Sequence, residues 1–323
     1  MSLSRPPVIA RVPDGTARPL WSVMIPTYNC ANYLRETLQS VLAQAPDATT
    51  MQIEVVDDCS TKDDPAAVVR EIGRDRVSFF RQPANVGAPA NFNTCLTRSR
   101  GEFIHVLHGD DLVEPAFYAE IEKAAHAHPD LALFACRSFI IDAAGAIEQL
   151  SPRCPTLEQP ARDGRALWYE NYLPTPGVMI RRCHYETLGG FRPELCHVAD
   201  WEMWWRALTN FGGLQLNRPL VRYRSFSGND TGRLARSAEN LRDYLRLARI
   251  VASSAPEFDR ARFHAAVAHR ALEQSVRFES FGDATGAAAN MKLWFDLSSP
   301  GARLRMSLRH PRATFRRLRL RAT

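Results

Sequence analysis

The stretch WSVMIPTYN (21–29) opens the pattern that decides the fold. Its apolar run WSVMIP (21–26) is typical of a buried strand, and leucine and valine then recur at helical spacing over residues 34–42. A second apolar strand, QIEVVD (52–57), follows, and a helix is predicted to begin near Pro65. A strand, a helix and a second strand in this order predict a parallel βαβ unit.

The same alternation continues toward residue 110. A third strand is predicted over VSFF (77–80), a helix over 89–97 and a fourth strand over EFIHVL (102–107). The pattern predicts an α/β fold with a doubly wound, mostly parallel sheet flanked by helices. In such a sheet, ligands bind beyond the carboxyl ends of the strands.

The remainder of the chain predicts three more strands and then helices only. The strands are LALFACRSFII (131–141), GVMIRR (177–182) and LQLNRPLVRYR (214–224), and the helix DWEMWWRAL (200–208) precedes the last of them. Three further helices are predicted over 233–252, 257–281 and 284–297. The predicted organisation is a flexible leader (1–18), a nucleotide-binding sheet domain (19–228), a C-terminal helical extension (229–300) and an Arg-rich amphipathic tail (301–323).

The positive charge of the chain is concentrated at one end. The 323 residues include 41 Lys and Arg against 35 Asp and Glu, a formal charge of +6. Eight arginines lie between Arg303 and Arg321, and no acidic residue follows them. Without these eight, 33 basic and 35 acidic residues remain, a formal charge of −2. A basic protein body is therefore excluded, and only a basic tail needs an explanation.

The sequence also predicts a cytoplasmic protein. The first 20 residues lack the apolar core of a secretory signal, and no run of about 18 apolar residues occurs elsewhere. The seven cysteines form an odd set without a Cys-x-x-Cys pair, which favours reduced thiols.

The tail combines its arginines with an apolar stripe. Leu304, Leu308, Phe315 and Leu318 project to one side of a helix drawn through them. This combination suits peripheral contact with an anionic membrane on its cytoplasmic face, where each basic residue adds about 1 kcal/mol. A solvated tail is the alternative, and nucleic acid is not expected because no aromatic stacking platform accompanies the arginines.

Two pairs of adjacent carboxylates stand where predicted strands end. Asp57 and Asp58 follow the second strand. Either Asp58, Ser60 and Thr61 cap a turn, or one of the two carboxylates accepts hydrogen bonds from a nucleobase edge while Ser60 closes the loop. Asp110 and Asp111 follow the fourth strand, and they repel each other unless a cation or a donor lies between them. A Mg²⁺ or Mn²⁺ ion bridging to a diphosphate would resolve this repulsion, and an Asx-turn before a helix is the alternative.

Two further sites complete the candidate set. Asn85 and Gly87 follow the third strand, where they form a turn or reach a ribose or phosphate. Asp200 is predicted to be the N-cap of its helix, which would lower its pKa and make it a modest base. The alternative is a plain cap over a Trp-rich core helix. Together the sites suggest nucleotide-diphosphate chemistry, in which a base deprotonates an acceptor.

Seven segments in this order resemble the family 2 glycosyltransferases of GT-A fold. They are VMIPTYN (23–29), IEVVDDCSTKDD (53–64), NVGAPANFN (85–93), HGDD (108–111), RRCHYETLGGF (181–191), ADWEMWWRAL (199–208) and VRYR (221–224), within residues 20–230. The resemblance implies an inverting, metal-dependent hexosyltransferase that uses a UDP-, dTDP- or GDP-linked sugar. It also implies a saccharide or lipid-linked saccharide acceptor, in surface polysaccharide or glycolipid biosynthesis.

The resemblance assigns roles to individual residues. Pro26, Thr27 and Tyr28 would line the nucleotide pocket, and Asp58, with Asp57, would contact the base. Asp110 would lie against the ribose and diphosphate, Asp111 would be the main ligand of Mg²⁺ or Mn²⁺ with Asp110 beside it, and Asp200 would be the general base.

Three positions depart from the family pattern. His108 stands where many members have the first Asp of the acidic motif, Ala199 precedes Asp200 where Glu is frequent, and Phe226 falls near where some members place a His that reaches the metal or diphosphate. His108 and Ala199 leave open a catalytically inactive, glycosyltransferase-like binding protein. A Gln-x-x-Arg-Trp motif does not follow Asp200, so transfer of a single sugar is expected. A dinucleotide-dependent enzyme is disfavoured because PTYN, and no Gly-x-Gly-x-x-Gly motif, follows the first strand.

Overall fold

The computed structural model describes residues 5–226, 228 and 230–303. The chain divides into two compact units, of which the first ends at Ser225 and the second begins at Phe226. From residue 304 onward, the predicted Arg-rich tail lies outside the described residues.

The first unit is built on a nine-stranded sheet. Its strands are β1 (Trp21–Thr27), β2 (Met51–Asp57), β3 (Ser78–Arg81), β4 (Phe103–Val106), β5 (Leu112–Val113), β6 (Leu133–Ile141), β7 (Ile147–Leu150), β8 (Val178–Arg181) and β9 (Gly213–Arg224). The strand order is β3-β2-β1-β4-β8-β6-β9-β5, with β7 paired to β6. The predicted strands are confirmed, and the two short strands β5 and β7 are additional.

Strands β3, β2, β1 and β4 run parallel to one another, as do β6 and β9, while β8 is antiparallel to both of its neighbours. Strands β5 and β7 are antiparallel to β9 and β6. The predicted α/β fold with a doubly wound sheet is confirmed.

Among the residues that the structure describes, six α-helices lie in the first unit and four in the second. They are α1 (Ala31–Leu42), α2 (Pro65–Val68), α3 (Ala88–Arg98), α4 (Phe117–Ala127), α5 (Arg182–Leu188) and α6 (Ala199–Phe211), then α7 (Asp230–Arg236), α8 (Glu239–Ser254), α9 (Arg260–Ser280) and α10 (Ala284–Leu297). The predicted C-terminal helical extension is therefore present. No helix among residues 5–226, 228 and 230–303 is long and apolar enough to cross a membrane.

The core of the first unit follows from the apolar pattern. Every residue of β1 and β2 is buried, as expected for parallel strands covered on both faces. Helix α1 turns Leu34, Leu38 and Val41 toward the sheet, and all three side chains are fully buried.

The leader predicted to be flexible contacts the body in its described part. Ile9 is buried, the Pro7 carbonyl accepts a hydrogen bond from Gly190 N at 2.7 Å, and the Ala10 carbonyl accepts one from Arg182 at 3.0 Å.

The strand directions bring all candidate segments to one edge of the sheet. The parallel strands β3, β2, β1 and β4 end at this edge. Because β8 is antiparallel to β4, with His105 opposite Met179, the start of β8 lies beside the end of β4. The Thr175–Gly177 turn that leads into β8 therefore belongs to the same edge as the acidic turn after β4.

Candidate active site

The loops that follow β1 and β2 are joined by reciprocal hydrogen bonds. Asn29, which adopts a left-handed backbone conformation with φ of 52°, accepts hydrogen bonds at Oδ1 from Thr61 N (2.9 Å) and Lys62 N (3.0 Å). In return, Asn29 N donates to Ser60 Oγ at 2.8 Å. The two loops consequently form one rigid surface beyond the sheet.

Asp57 lies at the base of this surface and is fully buried. Its carboxylate accepts hydrogen bonds from Ser60 N (3.2 Å) and Ser60 Oγ (2.5 Å). It also forms an ion pair with the Arg81 guanidinium at 3.2 Å. These contacts let Asp57 hold the loop after β2 in place.

Asp58 connects the loop after β2 to the loop after β3. Its two carboxylate oxygens accept hydrogen bonds from Val86 N (2.8 Å) and Gly87 N (3.0 Å), and Asn85 Nδ2 donates to the Asp58 carbonyl (3.3 Å). Gly87 has φ of +83°, a conformation that favours glycine. The structure thus unites three residues that the sequence placed at separate strand ends, and the contact with a nucleobase stays a prediction.

The end of β1 meets the acidic turn. Gly109 N donates to the Pro26 carbonyl at 3.0 Å, and a Cβ at Gly109 would lie only 2.9 Å from Thr27 Oγ1. Thr27 Oγ1 also lies 2.8 Å from Cys30 Sγ. Tyr28 remains 43% exposed at this edge.

Arg224, at the end of β9, fixes the acidic turn from the other side. Its main-chain N–H donates to Asp111 Oδ1 at 2.8 Å, and its guanidinium donates to the Asp110 carbonyl at 2.9 Å. The guanidinium also pairs with Glu36 at 2.8 Å and stacks over the Tyr33 ring. Because Arg224 is itself buried, the turn is positioned by a group that cannot move into solvent.

Asp111 is fully buried, and its Oδ2 atom lacks a hydrogen-bond partner among the described residues. Burial raises the pKa of Asp111 well above its usual range, and the neighbouring charge of Asp110 adds to this effect. One ligand atom from each of His108, Asp110 and Asp111 lies within 4.8 Å of the others. An orphaned buried oxygen beside two further donors fits a divalent cation, which would stabilise the carboxylate form.

Asp200 is not the N-cap of its helix, so that prediction is wrong. Helix α6 begins at Ala199, Val198 is the N-cap, and Asp200 lies within the first turn. Burial raises the pKa of Asp200, whereas the Trp201 N–H, the charge of His197 and the Thr175 hydroxyl act in the opposite direction. The predicted lowering of this pKa is wrong because desolvation outweighs the helix terminus. A raised pKa makes Asp200 a stronger base than the sequence suggested.

Residues that the sequence analysis missed hold the Asp200 carboxylate. Thr175 Oγ1 donates to Oδ2 at 3.0 Å, Asn171 Nδ2 lies 3.5 Å from the same oxygen, and Trp201 N donates to Oδ1 at 2.7 Å. Thr175 precedes Asp200 by 25 residues, so spacing could not associate the two. The available signal was the PTPG segment (174–177) before a strand, which marks a turn.

The same turn connects Asp200 with the strand that leads to the acidic turn. The Pro176 carbonyl, next to Thr175, lies 2.9 Å from His105 Nε2 in β4. Since a carbonyl can only accept, Nε2 carries the proton, and Nδ1 accepts from the Tyr118 hydroxyl at 3.2 Å. Burial lowers the pKa of His105 to about 4, so the ring is neutral near pH 7.

Comparison with known proteins identifies the family. The family model described as glycosyl transferase family 2 matches residues 22–185, which is half of the chain. The chain belongs to this family. The predicted resemblance is therefore confirmed.

This glycosyltransferase has relatives among curated bacterial proteins. It is 29% identical over 244 residues to an uncharacterized protein of Mycobacterium tuberculosis, a match that covers 72% of this chain and 75% of that protein. It is 36% identical over 110 residues to the succinoglycan biosynthesis protein ExoO of Rhizobium meliloti, covering 34% of this chain and 29% of ExoO. The second match thus spans less than a third of the relative.

Solved structures share the fold of this glycosyltransferase. A Staphylococcus aureus TarS structure in complex with UDP-GlcNAc aligns with a TM-score of 0.61 at 18% identity, covering 86% of this chain and 79% of that chain. A mannosyltransferase from Pyrobaculum calidifontis in complex with GDP-Man and Mn²⁺ aligns with a TM-score of 0.51 at 19% identity, covering 95% and 86%. The predicted GT-A fold is confirmed by these similarities.

Proposed function

We propose that this glycosyltransferase transfers a single sugar, with inversion at the anomeric carbon, from a nucleotide-diphosphate sugar to an acceptor hydroxyl. The observation that carries the proposal is the placement of the buried Asp111 and the partly buried Asp200 at one sheet edge. Asp200 is bonded to the Thr175–Gly177 turn, and this turn lies beside the end of β4, where the chain continues to Asp110 and Asp111. A base and a charge-neutralising site at one edge are what direct displacement of a diphosphate requires.

Asp200 is the proposed general base. Its raised pKa gives the carboxylate affinity for the proton of an attacking hydroxyl, and the close donors Thr175 Oγ1 and Trp201 N fix its orientation. The acceptor oxygen attacks C1 of the donor sugar as the bond from C1 to the diphosphate breaks, through an oxocarbenium-like state. Attack from the side opposite the leaving group inverts the configuration.

The acidic turn is the proposed binding site for the diphosphate. Asp111, with Asp110, would hold a Mg²⁺ or Mn²⁺ ion, which when bound supplies positive charge to the departing diphosphate. Arg224 keeps both carboxylates in place through the Asp110 carbonyl and Asp111 Oδ1. Gly109 brings the main chain of the turn against Pro26, which leaves no side chain between the two strand ends.

The surface beyond β1, β2 and β3 is the proposed nucleotide pocket. Pro26, Thr27 and Tyr28 form its β1 side, and the exposed Tyr28 ring offers a face to a base. Asp58 is the proposed contact for base NH groups, since it lies at the junction of the loops after β2 and β3 and a carboxylate oxygen can accept more than one hydrogen bond. Asn85 and Gly87 would lie near the ribose or phosphate.

The donor class is supported by what similar structures contain. Those structures include UDP-GlcNAc, UDP and GDP-Man complexes. We propose a UDP-, dTDP- or GDP-linked donor and a saccharide or lipid-linked saccharide acceptor. Surface polysaccharide or glycolipid synthesis is the proposed setting, since ExoO and an Escherichia coli chondroitin synthase are among the relatives by sequence.

A thermal-shift screen tests the donor part of the proposal. Nucleoside diphosphates and nucleotide sugars are added to the full chain with Mn²⁺, and one base series is expected to raise the melting temperature. For the donor that stabilises most, proton NMR of the transferred sugar in the presence of candidate acceptors gives the anomeric configuration. Retention of configuration, or stabilisation by none of the donors, contradicts the proposal.

The Arg-rich tail is proposed to bring the enzyme to the cytoplasmic face of an anionic membrane. Eight arginines and an apolar stripe support this location through electrostatic and apolar contact with lipid. Co-sedimentation with anionic liposomes compares the full chain with a chain that ends at residue 301. The full chain is expected to bind far more strongly at low salt, and equal binding by both chains contradicts the proposal.

A further inference from the structure

We infer that His108 is a direct ligand of the divalent cation, and that this glycosyltransferase consequently binds Mn²⁺ in preference to Mg²⁺. The inference rests on the proposed metal-dependent function and specifies its cation. The sequence suggested only that His108 deprives the metal of a carboxylate, whereas the structure places its imidazole within the candidate metal site.

The distances match a shared ion. His108 Nδ1 lies 3.5 Å from Asp111 Oδ2, and Asp110 contributes an oxygen to the same cluster, whose members lie within 4.8 Å of one another. Two atoms bound at about 2.1 Å to one ion, at right angles or at a tetrahedral angle, are about 3.0–3.4 Å apart. The imidazole and the carboxylate therefore need to move only a few tenths of an ångström to chelate the same cation.

The Asp111 oxygen that faces the imidazole is the one without a partner. Asp111 Oδ1 accepts from Arg224 N at 2.8 Å, while the buried Oδ2 has no hydrogen-bond partner among the described residues. The separation of 3.5 Å from His108 Nδ1 exceeds an ordinary N–H···O hydrogen bond of about 2.7–3.2 Å. An oxygen left unsatisfied in a buried position is costly, and a cation between it and the imidazole removes that cost.

The imidazole ring is held in this orientation by aromatic packing. The Phe92 ring lies nearly parallel to His108, with ring centroids 5.2 Å apart and an interplanar angle of 16°. Phe92 in turn packs edge-on against Phe191 at 5.4 Å. Offset stacking of this kind restricts rotation of the imidazole, so little conformational entropy is lost when it binds a metal.

The ligand set determines the metal preference. Mg²⁺ strongly prefers oxygen ligands and retains its water, whereas an imidazole nitrogen favours first-row transition metals. Replacing a carboxylate by His108 therefore weakens Mg²⁺ binding more than Mn²⁺ binding.

Electron paramagnetic resonance of the full chain with Mn²⁺ tests the inference without an activity measurement. Titration gives the Mn²⁺ affinity, competition gives the Mg²⁺ affinity, and electron spin echo modulation detects a ¹⁴N nucleus bonded directly to Mn²⁺. The variants are His108→Asn and, as a control at an exposed position, His126→Asn. Thermal unfolding verifies that each variant is folded.

The wild type and the control are expected to show ¹⁴N modulation and to bind Mn²⁺ at least about tenfold more tightly than Mg²⁺. The His108→Asn variant is expected to lose the modulation and about tenfold or more of its Mn²⁺ affinity, with less than about a threefold change for Mg²⁺. Wild-type protein that binds Mn²⁺ but shows no ¹⁴N modulation overturns the inference. The proposed metal dependence would then stand, with the ion held by carboxylates alone. Failure of both ions to bind, even with UDP or GDP present, overturns the proposed metal dependence as well.

Discussion

The substitution Thr175→Val removes one donor from the proposed base while preserving the shape of the side chain. The Thr175 hydroxyl lies 3.0 Å from Asp200 Oδ2, and it stabilises the ionised carboxylate only. Its loss raises the pKa of Asp200 further above the usual range, where burial has already placed it.

The expected magnitude follows from the strength of that bond. A hydrogen bond to a charged group contributes about 1.5–3 kcal/mol, and 1.4 kcal/mol corresponds to a factor of about 10 in an equilibrium constant. Because Asp200 must be ionised to accept a proton, the acidic limb of the kcat/KM profile moves to higher pH. At pH values on that limb, kcat/KM of Thr175→Val is expected to be about tenfold or more below the wild type. At pH values well above the limb, the two should differ by less than about threefold.

The assay is the pH profile of kcat/KM for the wild type, Thr175→Val and Thr175→Ser, with the donor found by thermal shift. Serine retains the hydroxyl and is expected to restore the wild-type limb. An acidic limb that keeps its position in Thr175→Val, even if all rates are lower, would refute the role of this hydroxyl in setting the basicity of Asp200.

Three further outcomes are expected. The variant Asp58→Asn turns an amide N–H toward Val86 N or Gly87 N. Urea unfolding should therefore show a loss of about 2 kcal/mol or more in the free energy of unfolding, and the KM for the donor should rise. An unchanged free energy of unfolding would contradict the bridging role of Asp58. The variant Arg224→Met removes the guanidinium that donates to the Asp110 carbonyl and pairs with Glu36. Urea unfolding is expected to show a loss of about 2–4 kcal/mol in the free energy of unfolding. A loss of less than about 1 kcal/mol would contradict the role of Arg224 in fixing the acidic turn. Burial lowers the pKa of His105 from 6.5 to about 4, so between these pH values the unfolded chain binds a proton that the folded chain does not. The free energy of unfolding therefore falls by up to about 3 kcal/mol as the pH is lowered from 6.5 to about 4. Urea titrations at several pH values should show that this part of the pH dependence vanishes in His105→Gln.

Much of the fold could be predicted because the strands carry a strong local signal. The apolar runs at residues 21–26 and 52–57 are buried throughout, so their composition alone identifies them. Strands β5 and β7 could not be predicted in this way. The first has only two residues, and the second is exposed along its whole length, so neither shows an alternating or continuous apolar pattern.

The candidate site was predictable only as far as strand ends reveal it. Asp57, Asp58, Asp110 and Asp111 were found because parallel strands end at one edge. The environment of Asp200 could not be predicted, since its pKa depends on burial and on the hydroxyl of Thr175. The pairing of the antiparallel strand β8 with β4 places Thr175 at this edge of the sheet. A helix terminus is visible in the sequence, whereas the desolvation that outweighs it is a property of the folded chain.

We expect Asp200 to deprotonate the acceptor in a metal-dependent sugar transfer. The rate of nucleoside diphosphate release from the matched donor, with acceptor and Mn²⁺, is compared for the wild type, Asp200→Asn and the exposed control Asp130→Asn. Release is expected to depend on the cation, to be unchanged in the control, and to fall about 100-fold or more in Asp200→Asn. Transfer by Asp200→Asn at the wild-type rate would show that Asp200 is not the base.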